Sequence, residues 1–181
     1  LDEGLERGAY KSGKREGLWL FYVIDGISNR LLFQAGEYKG GKREGRWAFF
    51  NDANGKLRNT HSYKNGELDG PWFMYRYNGQ VRWKGEYKYG ERDGPSVRYH
   101  RNGELSYKVT YKNGKEEGPE VHYYENGQLK SKVTYRNGKR EGPWVDYYGH
   151  GQLKGKGTYR NGERVFDKGM TGTYYNGIKV K

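Results

Sequence analysis

The chain has 181 residues, no cysteine and a formal net charge of +12. The lack of cysteine excludes disulfides and thiolate metal sites, and no apolar run approaches the roughly 18 residues of a membrane-spanning helix. Hydrophobic residues make up only 33% of the chain, but they include 19 Tyr, 6 Phe and 5 Trp, and this aromatic content argues against disorder. The positive charge favours acidic partners.

A tyrosine followed by a basic residue recurs along the chain at nearly constant spacing. The seven tyrosines are Tyr10, Tyr38, Tyr63, Tyr87, Tyr111, Tyr135 and Tyr159, which are 28, 25 and then four times 24 residues apart. Such self-similarity indicates a repeat architecture. We predict one domain over 1–181, with repeats over 10–165, an N-terminal cap over 1–9 and a degenerate C-terminal cap over 166–181.

Each repeat predicts two strands. The first strand follows a glycine, and its alternate residues are apolar and aromatic, as in Val121 and Tyr123. This period of two indicates a strand with one buried face. The Asn126-Gly127 pair then predicts a type I′ turn, and a second strand begins at Leu129.

The predicted fold is all-β, an elongated single-sheet array of about seven antiparallel β-hairpin repeats of ~24 residues. The leucine of each second strand and its closing tyrosine are six residues apart, so we expect both on the inward face with the apolar residues of the first strand. On this basis Tyr123 belongs to the core, whereas Lys132 lies on the opposite face.

An acidic residue precedes the second glycine in six repeats. These residues are Glu16, Glu44, Asp69, Asp93, Glu117 and Glu141. Their recurrence, together with a basic residue after each tyrosine, predicts a turn salt bridge rather than catalytic carboxylates. The histidines His61, His100, His122 and His150 occupy different repeat positions without metal-ligand spacing. The sequence therefore predicts no catalytic residue, no metal site and no cofactor.

Two outward surfaces are candidates for binding. The first is an aromatic patch on the first strands of three repeats, formed by Trp19, Phe21, Trp47, Phe49, Trp72 and Met74. Exposed aromatic residues gathered on one part of an array are typical of a binding patch. The alternative is that another layer of the protein covers them.

The second surface is a cationic stripe on the second strands. It is formed by Arg58, Arg82, Lys84, Lys108, Lys130, Lys132, Lys154 and Lys156. The stripe suits an acidic protein or anionic lipid headgroups, and the alternative is a solvated sheet face that lysine keeps soluble. Nucleic acid is disfavoured as a partner, because the stripe lacks interleaved aromatic platforms.

The units G-x-W-x-x-Y-Y-x-N-G-Q-L and Y-[KR]-N-G-x-x-x-G resemble the MORN repeat in its bacterial variant form. The resemblance covers Tyr10 to about Asn161 and departs at Ser96 and Glu120, where other copies carry Trp. It implies a β-hairpin array used as a scaffold or lipid-associated module. Many variant-type members are catalogued as antitoxins, which implies a partner protein that neutralises a toxin.

Two functions are therefore expected. The first is a non-enzymatic protein-binding repeat protein, similar to an antitoxin or immunity protein, that neutralises a toxin by occlusion. The second is an envelope or membrane-associated scaffold that binds anionic phospholipid headgroups. The sequence begins at Leu1 rather than Met, so a leader was removed or the sequence was shortened, and both the periplasm or cell envelope and the cytoplasm stay open.

Overall fold

The computed structural model describes residues 6–25, 29–51 and 54–165, together with the backbone of 173–175 and 178–180. Every regular element in these ranges is a β-strand, which confirms the predicted all-β class and its antiparallel hairpins. The chain divides into two compact units, unit 1 (residues 1–92) and unit 2 (residues 93–181). Most of the predicted C-terminal cap lies outside the described residues.

Strands that follow one another pair as hairpins within each unit. In unit 1 they are β1 (Glu6–Lys11), β2 (Lys14–Asp25), β3 (Asn29–Lys39), β4 (Lys42–Phe50), β5 (Leu57–Lys64), β6 (Glu67–Leu68), β7 (Gly70–Tyr75), β8 (Val81–Lys88) and β9 (Glu91–Arg92). In unit 2 they are β10 (Gly94–Tyr99), β11 (Leu105–Lys112), β12 (Lys115–Glu116), β13 (Gly118–Tyr123), β14 (Leu129–Arg136), β15 (Lys139–Tyr147), β16 (Leu153–Arg160), β17 (Glu163–Val165), β18 (Thr173–Tyr175) and β19 (Ile178–Val180).

The type I′ turns are the ones that follow the repeated tyrosine and basic residue. Lys64 pairs with Glu67 across Asn65 and Gly66, whose φ angles are 52° and 89°. Two successive positive φ angles define this turn and match the twist of the strands that it joins. The same pattern recurs at 12–13, 40–41, 89–90, 113–114, 137–138 and 161–162. We call the edge of each unit that carries these turns the turn edge.

The type I′ turn predicted at the other Asn-Gly pairs is wrong. At Asn78-Gly79 only the glycine has a positive φ, of 82°. The N–H of Gly79 donates to the carbonyl of Arg76 at 2.9 Å, and the N–H of Arg76 donates to the carbonyl of Gln80 at 2.8 Å. These bonds enclose a three-residue loop, a type I turn followed by a left-handed glycine. The carbonyl oxygen Oδ1 of Asn78 instead accepts from the N–H of Gln80 at 3.1 Å.

A β-bulge interrupts the pairing of each long hairpin on the side of the sheet opposite the type I′ turns. In the β13–β14 pair, His122 lies opposite Ser131 and Tyr123 lies opposite Leu129, so Lys130 is an extra residue. The equivalent extra residues are Phe33, Arg58, Arg82, Ser106 and Lys154. One inserted residue reverses the alternation of side chains between the faces of a sheet. The leucine and the closing tyrosine of a second strand therefore lie on opposite faces.

The predicted inward face is accordingly wrong, because its residues belong to two faces. The closing tyrosines share a face with the tryptophans, which we call the Trp face. The rings of Tyr38 and Trp47, for example, meet edge to face at 5.1 Å. On the other face, which we call the Lys face, Lys132 lies directly opposite Val121, so that Lys132 and Tyr123 are on the same side of the sheet.

The most buried hydrophobic side chains of unit 1 lie on the Trp face. Trp19, Trp47 and Trp72 are 2%, 0% and 4% exposed. Each indole packs against the backbone of a neighbouring strand where that strand has glycine. A Cβ atom added at Gly36 would overlap the indole of Trp47, and one added at Gly85 would lie 2.9 Å from Nε1 of Trp72. Glycine at these positions is therefore needed for the close approach of ring and backbone.

Candidate binding surfaces

The predicted aromatic patch is not exposed on the Trp face. Its three tryptophans are buried, and the neighbouring Phe21, Phe49 and Met74 are half-buried. The alternative named another layer of the protein as the cover, whereas Trp19 and Trp47 are covered by side chains of the same sheet. The guanidinium carbon of Arg15 lies 4.6 Å from the centre of the Trp19 ring, and that of Arg43 lies 4.2 Å from the Trp47 ring. A role for this patch in binding stays a prediction.

Hydrogen bonds fix these arginines over the indoles. Arg43 donates from Nη1 to the hydroxyl of Tyr63 at 3.1 Å and from Nη2 to Oε1 of Gln34 at 3.2 Å. Arg15 forms an ion pair with Glu6 at 2.7 Å. An arginine held over an aromatic face adds a cation–π attraction to the packing. Around Trp19 and Trp47, the Trp face of unit 1 is therefore a packed layer of indole, tyrosine and guanidinium groups.

The Trp face of unit 2 carries a hydrogen-bonded polar cluster at the position of a missing tryptophan. The hydroxyl of Tyr107 donates to Oε2 of Glu120 at 3.1 Å, and Nε2 of His122 lies 3.1 Å from Oε1 of Glu120. The hydrogen bond with His122, the bond from Tyr107 and the charges of His122 and Arg140 hold the pKa of Glu120 below its usual value. Burial and the nearby charge of Glu120 raise the pKa of Tyr107.

The structure divides the predicted cationic stripe into two sets. One set consists of the bulge residues Arg58, Arg82, Lys130 and Lys154, which are all exposed. The other set lies on the Lys face, where Lys84 pairs with Phe73, Lys108 with Val97 and Val121, Lys132 with Val121 and Val145, and Lys156 with Val145. A role for either set in binding stays a prediction.

The Lys face of unit 2 alternates valine and lysine from strand to strand. Its valines are half-buried, whereas Lys108, Lys132 and Lys156 are exposed. Within the described part of unit 2, the acidic residues lie near the turns and loops or, for Glu120 and Asp146, on the Trp face. The face therefore combines accessible apolar surface with charge of a single sign.

The predicted turn salt bridges are replaced by bonds from one repeat to the next. The carboxylate of each repeat accepts a hydrogen bond from a backbone N–H in the type I′ turn of the following repeat. The pairs are Glu16 with Gly40, Glu44 with Asn65, Asp69 with Tyr89, Asp93 with Asn113, Glu117 with Asn137 and Glu141 with Asn161, at 2.7–3.3 Å. Sequence reasoning identified the acidic position but gave it the wrong partner.

The four histidines lie in four different environments. His61 stacks on Trp72 at 6.4 Å, and burial lowers its pKa. Nε2 of His100 lies 2.9 Å from the carbonyl oxygen of Tyr123, and His150 stacks on Tyr148 at 5.6 Å. Within the described ranges, no group of three or more His, Asp or Glu side chains is arranged to hold a metal ion. The same ranges contain no helix long and apolar enough to cross a membrane.

Three consecutive stretches of the chain match a known repeat family. Residues 92–113, 116–137 and 140–161 match the family described as MORN repeat variant. They correspond to the repeats in which the pattern of tyrosine, basic residue, Asn and Gly is most regular. These three stretches are similar to MORN-type repeats, and such repeats are consistent with a repeat binding protein. No curated protein matches the sequence significantly.

Solved structures show a slight and partial likeness. TarM is 13% identical over 62% of this chain and 21% of its own, with a TM-score of 0.39. A mutant S. aureus TarM in complex with Fondaparinux, alpha-GlcNAc-glycerol and UDP is 13% identical over 63% of this chain and 21% of its own, with a TM-score of 0.39. The GtfA/B complex bound to UDP and GlcNAc is 13% identical over 64% of this chain and 22% of its own, with a TM-score of 0.30. The chain spans about a fifth of the length of these chains.

Proposed function

We propose that the chain is a non-enzymatic repeat protein that binds a protein partner through the Lys face of unit 2. In its specific form, the proposal is that binding occludes a toxin, as an antitoxin or immunity protein does. The observation that carries the proposal is the row of exposed Lys108, Lys132 and Lys156 between half-buried valines.

A protein partner fits this face for two reasons. The valines and the stems of the lysines offer apolar surface to bury, and the tyrosines Tyr99, Tyr123 and Tyr147 lie at the ends of the same strands. Tyrosine is a frequent anchor at protein interfaces. The lysines would steer an acidic surface toward the face and raise the rate of association.

The test uses a variant in which Lys108, Lys132 and Lys156 are replaced by threonine, which removes three charges and keeps strand preference. A matched control replaces the exposed Arg98, Arg101 and Arg160 by threonine. A protein captured by the wild-type chain from its native host is purified, and its binding to the three proteins is measured. We expect about a tenfold or greater loss of affinity for the lysine variant and a much smaller loss for the control.

Neutralisation is tested by co-expression of the captured partner with each protein. If the partner arrests growth, the wild-type chain and the control should restore growth, and the lysine variant should not. Equal affinity of the partner for the lysine variant and the wild type would contradict binding through this face. A partner that binds but has no toxic effect would contradict the antitoxin form alone.

A second candidate function is a scaffold on an anionic membrane. The lack of acidic residues on the described Lys face of unit 2 favours it, because uniform positive charge suits phospholipid headgroups. Sedimentation with phosphatidylglycerol vesicles that is lost in the lysine variant would support this candidate. Binding to the vesicles should then weaken as salt rises.

A further inference from the structure

Four type I′ turns carry two basic residues directly opposite each other. The pairs are Lys11 with Lys14, Lys39 with Lys42, Lys112 with Lys115, and Arg136 with Lys139. The other three turns pair a basic with an acidic residue, as in Lys64 with Glu67. Like charges at directly opposed positions destabilise a pair of strands. Because the mixed pair forms the same turn, the fold does not require the like-charged pair.

Within the described part of the chain, no carboxylate forms an ion pair with the basic side chains of these turns. All eight basic side chains are exposed, and the ion pairs and side-chain hydrogen bonds of the described residues do not include them. The nearest repeated carboxylates are engaged with backbone. Glu16 accepts from the N–H of Gly40 at 2.7 Å, and Glu117 accepts from the N–H of Asn137 at 2.8 Å.

The like-charged turns are consecutive within each unit. A Cβ atom added at Gly41 would lie 3.5 Å from Cβ of Lys14, and one added at Gly138 would lie 3.6 Å from Cβ of Lys115. Each second turn therefore packs against a basic residue of the first. The result is one cluster of four cations in each unit, cluster 1 with Lys11, Lys14, Lys39 and Lys42, and cluster 2 with Lys112, Lys115, Arg136 and Lys139.

We propose that clusters 1 and 2 on the turn edges dock acidic side chains of a protein partner. This inference rests on the proposed function and assigns a surface outside the Lys face to the same kind of partner. Aspartate and glutamate side chains of the partner would form the ion pairs that these basic side chains do not make within the described part of the chain. The interaction would act mainly on the rate of association and would weaken as salt rises.

Two features of the turn edge favour protein over nucleic acid or lipid. The mixed pairs Lys64 with Glu67 and Lys88 with Glu91 place acidic residues in the same row of turns as cluster 1. The excess positive charge of this row is therefore confined to two turns, which suits the acidic side chains of a protein segment better than a long duplex or a membrane surface. Tyr89, which lies at the tip of the turn between Lys88 and Glu91, is 75% exposed and has a φ of 51°. A bulky residue in this strained conformation at an exposed tip is typical of a contact residue.

The test converts the like-charged turns into mixed ones. The turn variant carries Lys14→Glu, Lys42→Glu, Lys115→Glu and Lys139→Glu, which reproduces the arrangement of Lys64 and Glu67. The control variant carries the same charge change at four exposed cations away from the turn edge, Lys56→Glu, Arg82→Glu, Arg101→Glu and Lys154→Glu. The turn variant should melt at the same temperature as the wild type or higher, because like-charge repulsion is removed.

Binding of fluorescent poly-L-glutamate is then measured at low and moderate salt. We expect the turn variant to lose about tenfold or more in affinity, with the control variant losing distinctly less. Equal losses in the two variants would show that only net charge matters and would overturn the proposal. Unchanged binding of poly-L-glutamate by the turn variant would also overturn the proposal. A third contrary result would be a loss of binding to duplex DNA or to phosphatidylglycerol vesicles, in the turn variant, that is larger than its loss of binding to poly-L-glutamate.

The outcome is separable from that for the Lys face. A purified partner that loses affinity for the Lys-face variant but not for the turn variant would uphold the proposed function and overturn this inference. Loss of poly-L-glutamate binding in the turn variant alone would uphold the inference even if the Lys-face variant binds the partner normally.

Discussion

The Trp face is built in two ways in the two units. In unit 1 the three equivalent positions are occupied by buried tryptophans, which lie against glycine in a neighbouring strand. In unit 2 two of the three equivalent positions are Ser96 and Glu120, and the residues directly opposite them are Val109 and Val133. Trp144, the third, again lies opposite a glycine, Gly157.

In five of the six equivalent positions, a large residue on one strand is combined with a small one on the other, so that the volume of the cross-strand pair is kept although the residues change. Trp19, Trp72 and Trp144 lie opposite glycine, and Ser96 and Glu120 lie opposite valine. The exception is Trp47, which lies opposite His61 and packs against Gly36 of the preceding strand. Close packing explains this pattern, because a change in volume on one strand leaves a void or an overlap unless the other strand compensates. The Trp face of unit 1 is therefore expected to depend on its tryptophans more strongly than that of unit 2.

The largest expected effect is that of Trp47→Ala. Its side chain is fully buried, so its removal should lower the free energy of unfolding by about 3–5 kcal/mol. Trp144→Ala in unit 2 should cost less, because Trp144 is only half-buried. Urea denaturation of both variants measures the difference. A larger loss for Trp144→Ala would contradict the proposed contrast between the units.

A smaller effect is expected from adding a single methyl group beneath the same ring. In Gly36→Ala the new Cβ overlaps the indole of Trp47, and such overpacking typically costs about 1–3 kcal/mol. Gly149→Ala is the matched control, since its Cβ would find its nearest neighbour at 3.9 Å in Tyr124. Thermal melts should show a clear loss for the first variant only, and equal losses would indicate that Trp47 has room to move.

The smallest effect concerns the polar cluster of unit 2 and depends on pH. The lowered pKa of Glu120 in the folded chain, caused first by its hydrogen bond with His122, means that its ionised form stabilises the fold. This contribution is present above the pKa of the unfolded chain and is lost as the pH falls through the folded-state pKa. Between about pH 6 and pH 3, on either side of an ordinary glutamate pKa of about 4.3, the wild type should lose more stability than Glu120→Gln.

Urea midpoints at the two pH values give this comparison directly. The other carboxylates titrate in both proteins, so the difference between their losses isolates Glu120. Parallel losses in the two proteins would show that the cluster does not favour the ionised form.

The strands and the hairpin order could be predicted from the sequence, because period-two alternation and turn residues are local signals. The face of the sheet on which each side chain of a second strand lies could not be predicted in this way. Leu129 and Tyr135 are six residues apart, and an even spacing places two residues on one face only in a regular strand. The extra residue Lys130 reverses that parity, and no residue type in the sequence marks a bulge at this position.

The wrong assignment of faces in the candidate surfaces has the same cause. A regular second strand predicts that the tryptophans are on the surface and that the lysines lie on the side opposite the valines, whereas the bulge places lysines and valines on one face. One signal in the sequence could have corrected this. The residue two positions before the closing tyrosine is glycine at Gly36 and Gly85 but valine at Val109 and Val133. Valine occurs in the two repeats in which Ser96 and Glu120 replace tryptophan.

The bond from each carboxylate to the next turn gives the array a direction. Glu44 holds the turn at Asn65, and Glu117 holds the turn at Asn137, so the acceptor always precedes the donor along the chain. During synthesis on the ribosome, which proceeds from the N-terminus, each emerging turn would meet a carboxylate that is already in place. Each repeat within a unit can thus fold onto the preceding one as it is synthesised, because this contact does not depend on residues that are synthesised later.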